Sequence, residues 1–376
     1  MKIVLISGDQ YPFFIDTVNE LAKRGHELHV FNSRELGNTK GIEKLNSHVI
    51  FHPDLIGKLD SEDKKSNIFF IPVNIRKFKK KLDIINPDIL HAFNLKWSGW
   101  FSALSNFHPF ILTGLGSDIL KEQRAEKNLV IKKLRSITIK RADFITVVSK
   151  QMEKQVKEVN PNAKTCFFAP GANPEKFKYA EAKDKTKYRF NNYEYVIFSP
   201  RAMKPIYQTK EIVLAFVEFQ KKMEKAILII GGATNSVYAK EVIDLVKKKE
   251  IAENVFFSNR ASHEEWLEYY RISDVVVSFP YNDGMPATIF EAMATKTALI
   301  LSDVPSVRQI VSHDKNAYLC NKDDFHSLVK GFEKILTNID YRNNLVENAF
   351  QTFNEKGNSL KFVDELENIY KQIRVR

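Results

Sequence analysis

The chain has 376 residues with 44% apolar and 27% charged side chains, values of a globular protein large enough for two ordinary domains. Its two cysteines, Cys166 and Cys320, are too few and too far apart for a disulfide framework or a zinc spacing, and are expected to be buried and reduced, as in a cytoplasmic protein. The formal charge of +11 is uneven: residues 1–180 carry 29 Lys+Arg against 19 Asp+Glu, while 181–376 carry 28 against 27, so an anionic partner is expected on the first half, with nucleic acid, a membrane surface and an acidic substrate all open.

The chain opens on a strand-like run, 2–6, so no secretory leader is expected. Further strand-like runs follow at 27–31, 49–52, 89–92, 110–112, 144–148 and 165–168, separated by helical stretches. The clearest helix is 16–24, where Val18, Leu21 and Ala22 share a face. Such alternation predicts parallel strands with helices on both sides. Residues 179–193, crowded with Lys, Glu, Asp, Tyr and Asn and poor in aliphatics, read as a connection between domains. A second series of strands comes after it, at 195–199, 226–230, 255–257, 274–278, 298–301 and 317–319, with helices at 212–222, 240–249 and 287–294. No apolar run approaches the roughly twenty residues needed to span a bilayer, so no integral membrane segment is expected.

Neither half carries the Gly-rich dinucleotide fingerprint. Ser7-Gly8-Asp9-Gln10-Tyr11-Pro12 after the first strand and Gly231-Gly232-Ala233-Thr234-Asn235 in the second half both lack its three glycines, which disfavours a nicotinamide or flavin enzyme. Ligands of open α/β sheets still bind at the carboxyl ends of the strands, so chemistry is expected in those loops.

The most informative loop runs from Ser278 through Asp283, Gly284, Met285 and Pro286 into a helix holding Ala287, Thr288 and Glu291. Backbone N–H groups at such a helix start can hold a phosphate. Asp283 and Glu291, eight residues apart, can face one cleft, and ionised carboxylates suit sugar and ribose hydroxyls because they accept several hydrogen bonds. On the end of the second half's first strand stands Ser199-Pro200-Arg201, followed by Lys204, Tyr207 and Lys210.

The Asp283–Glu291 pair resembles the paired-acid motif of the retaining glycosyltransferases of family 4 (glycosyl transferases group 1). Glu291 matches the second acid, which in that family holds the donor's ribose. Asp283 stands where the family usually has Glu, at the position contacting the donor sugar. Arg201 matches the arginine of the diphosphate clamp, while the usual lysine position is held by Tyr207, leaving Lys204 or Lys210 as substitutes. Gly25-His26-Glu27, Pro87-Asp88 with His91, Gly116-Ser117-Asp118, Ala142-Asp143 with Ser149, and Pro170-Gly171-Ala172-Asn173 resemble the family's further segments in the same order.

The resemblance implies a GT-B fold, α/β, with two Rossmann-like doubly wound parallel-sheet domains facing a central cleft. The expected boundaries are 1–180 for the acceptor domain and 190–360 for the nucleotide-sugar domain, with a final helix in 361–376 packing back on the first. It implies a nucleotide-sugar-dependent glycosyltransferase (EC 2.4) acting with retention, without metal or other cofactor. The donor would be a nucleotide diphosphate sugar such as a UDP-sugar. The acceptor would be a glycan or lipid-linked saccharide of cell-envelope polysaccharide or glycoconjugate biosynthesis. Asp118, Arg201 and Asp283 are the catalytic candidates. Arg201, Lys204, Tyr207, Arg260, Asp283, Gly284, Met285, Pro286, Ala287, Thr288 and Glu291 are the donor-binding candidates.

Bland readings stand beside these. Asp118 could simply cap the following helix, Lys204, Tyr207 and Lys210 could be ordinary surface residues, and His26 and His91 read as packed histidines. The basic runs, Arg76 to Lys81 and Lys127 to Arg141, are interleaved with apolar residues. They fit a peripheral contact with anionic lipid at the inner membrane face better than nucleic acid, for which no motif is present. A nucleotide-sugar epimerase of the same architecture and a non-catalytic glycan-binding protein remain alternatives.

Overall fold

A computed structural model of the chain describes residues 1–8, 12–33, 42–53, 71–115, 119, 129–179, 186, 190–259 and 261–374. These fall into two compact units, one of residues 1–170 and 359–376 and the other of residues 171–358.

The first unit is built on seven strands: β1 (Lys2–Ser7), β2 (Glu27–Asn32), β3 (Ile50–His52), β4 (Ile89–Phe93), β5 (Phe110–Gly114), β6 (Phe144–Val147) and β7 (Thr165–Phe167). All neighbours are parallel, in the order β3-β2-β1-β4-β5-β6-β7. Helices α1 (Pro12–Lys23), α2 (Ile71–Ile85), α3 (Trp97–Ser105), α4 (Leu129–Arg141) and α5 (Lys150–Val159) lie between strands in sequence. The central strands are buried almost throughout because a parallel sheet is covered on both faces; in β1, Ile3, Val4, Leu5 and Ile6 are all fully buried. Ser149 caps α5 by accepting from Met152 N–H, which fixes where that helix begins.

The second unit has six parallel strands: β8 (Tyr195–Ser199), β9 (Ala226–Ile230), β10 (Val255–Phe257), β11 (Val275–Ser278), β12 (Ala298–Ser302) and β13 (Tyr318–Cys320). Their order is β10-β9-β8-β11-β12-β13. Around them stand α6 (Thr209–Gln220), α7 (Val237–Lys248), α8 (His263–Ile272), α9 (Ala287–Ala294), α10 (His326–Thr337) and α11 (Ile339–Thr352). A capping box of Ser262 and Glu265 opens α8. The strand order reverses between β8 and β11, and at such a switch point the two following loops diverge to opposite faces and leave a crevice.

The last helix, α12 (Ser359–Arg374), belongs to the first unit. Phe362 stacks on Phe168 with centroids 4.0 Å apart and packs on Phe13 at 5.1 Å. Arg24 donates to both Asp364 and Glu367, at 2.7 and 2.8 Å. At the far end Tyr370 Oη lies 2.7 Å from Nδ1 of His91, whose Nε2 is 2.6 Å from Thr113 Oγ1, itself 2.7 Å from Thr146 Oγ1. His91 is wholly buried, and burial pushes its pKa down to about 3, so it stands neutral. His26 also meets α12, with Nε2 2.7 Å from Glu367.

The division at Pro170–Gly171 comes ten residues before the 180 expected. The reason is local: Ala172 N–H donates to Gly357 O, and Phe177 packs edge-on against His263 and Tyr270. The chain has therefore joined the second unit before it reaches the polar stretch from 179.

Candidate active site

Arg201 and Asp283 follow β8 and β11, the two strands that flank the switch point of the second unit. Arg201 Nη2 donates to Asp283 Oδ2 at 2.7 Å, with the two side chains only 15% and 17% exposed. The other Asp283 oxygen accepts from the N–H of Gly284 at 2.8 Å, and its backbone carbonyl accepts from Ser306 Oγ at 2.8 Å. Burial raises the Asp283 pKa, and the Arg201 guanidinium opposes that rise.

Further bonds fix the two loops against each other. Tyr281 N–H donates to Ile206 O at 2.8 Å, and Gln208 Nε2 donates to Phe279 O and Lys322 O at 3.2 and 3.0 Å. Gly232 has φ +96, and a Cβ there would sit 2.8 Å from Ala202 Cα. Glycine thus lets the β9 loop lie directly on the loop that carries Arg201.

Tyr207 is no cation and does not replace one. Its ring lies under Arg201, with the guanidinium carbon 4.2 Å from the centroid, so it holds the arginine by stacking. Lys210 is committed elsewhere, 2.6 Å from Glu241 and over the Tyr238 ring. Lys204 is exposed and forms no ion pair among the described residues.

The β11 loop ends at Pro286, the N-cap of α9, which offers no capping side chain to the first-turn N–H groups. Gly284 borders open space, since a Cβ there would meet nothing within 4 Å. Met285 is buried, Ala287 is partly exposed, and Thr288 turns its Oγ1 inward without a hydrogen-bond partner among the described residues. Glu291, one turn further on, accepts from Tyr270 Oη at 2.5 Å. Burial pushes the Glu291 pKa up to about 7, against the lowering effects of the Tyr270 hydrogen bond and the Arg201 charge.

The structure thus gathers Arg201, Tyr207, Asp283, Gly284 and Glu291, and leaves Lys204 and Lys210 out of the ion-paired group. Asp118 and Arg260 lie outside the described residues. Tyr270, Gln208 and Ser306 escaped the reading of the sequence, because each acts through a contact far along the chain that no local pattern announces.

Two doubly wound domains, the second with an arginine and two acids gathered at its switch point, are the parts of the GT-B class of glycosyltransferases. Sucrose-phosphate synthase from Thermosynechococcus elongatus superimposes with a TM-score of 0.84 at 18% identity, covering 99% of this chain and 98% of its own. HepE from Anabaena in complex with UDP gives 0.80 at 12% identity, covering 99% and 100%. N-acetyl-alpha-D-glucosaminyl L-malate synthase of Bacillus anthracis is 22% identical over 369 residues, 93% of this chain and 90% of its own. Residues 180–352 match glycosyl transferases group 1 and residues 2–149 match the glycosyl transferase 4-like family. The chain belongs to the group 1 glycosyltransferases.

Proposed function

We propose that the protein is a retaining glycosyltransferase that takes its sugar from a nucleotide diphosphate held by the second unit. The observation that carries this is the Arg201–Asp283 pair with Glu291 within the field of the same guanidinium, beside the side-chain-uncapped start of α9. In this reading the helix start and Arg201 meet the diphosphate, Glu291 accepts from the ribose and Asp283 lies by the transferred sugar. The charge that grows as the glycosidic bond breaks then falls on an arginine already held in place, with no metal required of the site. The departing phosphate would assist deprotonation of the acceptor hydroxyl, and positioning would supply much of the remaining acceleration. The fold neighbour HepE has been solved with UDP and with UDP-glucose, which supports a uridine diphosphate donor.

The first unit is assigned the acceptor, a glycan or lipid-linked saccharide of envelope polysaccharide or glycoconjugate assembly, reached from the cytoplasmic side of a membrane. Among the described residues no helix is long and apolar enough to cross one. Its surface suits peripheral contact with anionic lipid. On α2, Val73, Lys77, Lys80 and Ile84 recur at helical spacing on the outer face, with Val73 54% and Ile84 84% exposed. On α4, which has no acidic residue, Leu129 and Val130 are 79% and 53% exposed beside Lys132 and Lys133. Both helices pack against α3. Cations with protruding aliphatics suit a lipid headgroup layer.

A thermal-shift panel of nucleotide diphosphates and nucleotide sugars tests the donor. Binding at about a hundred times the dissociation constant should add roughly 2.7 kcal/mol. No shift with any of them would remove the basis of the reading.

A further inference from the structure

Glu291 is offered to its ligand in a particular way, and the residue responsible is on another helix. Tyr270, on α8, is fully buried, its ring edge-on to Phe177 and Phe198 at 6.0 and 5.1 Å. Its backbone carbonyl accepts from Thr297 Oγ1 at 2.9 Å. Ring and backbone are thus both held before the hydroxyl reaches Glu291 Oε2. That hydroxyl occupies one carboxylate oxygen, while Oε1 has no hydrogen-bond partner among the described residues. We propose that Tyr270 is a positioning residue of the donor site, turning the Glu291 carboxylate so that Oε1 is the oxygen presented to the ribose hydroxyls of the nucleotide. The proposal rests on the donor reading above.

The electrostatics give this role a signature that a packing role lacks. Among the described residues, the titratable and charged groups acting on Glu291 are Tyr270 from α8 and Arg201 from the loop after β8, and Arg201 is shared with Asp283. Burial drives the Glu291 carboxyl up to about 7, and the Tyr270 hydrogen bond is the largest influence holding it down. A ribose hydroxyl donates best to an ionised carboxylate. Protonation of Glu291 below neutrality therefore weakens nucleotide binding, and loss of the Tyr270 hydroxyl moves that weakening to higher pH.

The test compares wild type with Tyr270→Phe by titration calorimetry between pH 6 and 8.5. The probes are UDP and GDP, each alongside its 2′,3′-dideoxy counterpart. The variant is expected to bind the ribose nucleotide roughly tenfold more weakly at pH 7, the scale of one hydrogen bond to a charged group. The difference should narrow toward pH 8.5, and affinity for the dideoxy nucleotide should match wild type across the range. The dideoxy arm also cancels the titration of the phosphate itself and reports a misfolded variant, which would lose both ligands. Equal ribose-nucleotide affinity and an unshifted pH profile in Tyr270→Phe would overturn the positioning role alone. Failure of wild type to bind either diphosphate would overturn the donor reading and this proposal with it.

Discussion

Replacing Arg201 with Met should damage both the stability of the second unit and its chemistry, by separable amounts. The 2.7 Å ion pair joins side chains that are only 15% and 17% exposed, so removal of the guanidinium strands the Asp283 carboxylate in a site where burial already raises its pKa. Breaking a buried pair by deleting one partner costs about 3–5 kcal/mol. Asp283 keeps the Gly284 N–H and some contact with solvent, so about 2–3 kcal/mol is expected here. For a domain of this size that corresponds to a fall in melting temperature of about 5–10 °C. The double variant Arg201→Met/Asp283→Asn, which removes the stranded charge, should recover most of the loss. Turnover should not recover, because the cation facing the departing diphosphate is gone. A preorganised contact of about 2–4 kcal/mol corresponds to a rate loss of roughly thirty-fold to a thousand-fold. Thermal denaturation followed by circular dichroism, beside initial rates of sugar transfer or donor hydrolysis, measures both. If Arg201→Met melts and turns over like wild type, or if the double variant regains turnover along with stability, the reasoning is refuted.

Other consequences follow from the same contacts. Glu291→Ala should weaken binding of the nucleoside diphosphate, whereas Asp283→Ala should leave it equal or tighter, since Arg201 is released, while impairing turnover of the sugar donor; calorimetry with the nucleoside diphosphate beside initial rates distinguishes these. His91 has a folded pKa near 3 against 6.5 when exposed, so its contribution to stability is present above pH 6.5 and is lost as the pH falls toward 3. At pH 5 that loss is about 2 kcal/mol, and denaturant titrations of His91→Gln should show a shallower fall from pH 7 to pH 5 than wild type. Replacing Lys79, Lys80 and Lys81 with Glu should reduce co-sedimentation with acidic vesicles at low salt and leave nucleotide affinity unchanged; binding to neutral vesicles that ignores salt would exclude the electrostatic contact.

Much of the fold was legible in the sequence, because its strands are aliphatic runs and its helices keep one apolar face. Those local patterns also made the two parallel-sheet halves and the loop from Ser278 to Glu291 visible. Element ends were less legible: α1 starts at Pro12 and α12 at Ser359, each ahead of the apolar stretch that marks it. The unit boundary fell earlier than composition indicated, because the Ala172–Gly357 bond and the Phe177 packing join segments distant in the chain.

The site divides along the same line. Sequence alone determined the residue types, an arginine after one strand and two acids around a helix start, since their spacing along a single chain segment is itself the signal. Which groups touch was decided only by the tertiary structure. The strand order brings β8 beside β11 and so sets Arg201 on Asp283 across 82 positions of chain. The same folding puts Tyr207 beneath the guanidinium, draws Lys210 away to Glu241, and sends Tyr270 from α8 to Glu291. Hydrogen bonds and desolvation depend on distances between residues that are remote in sequence, and those distances exist only once the sheet of the second unit has formed.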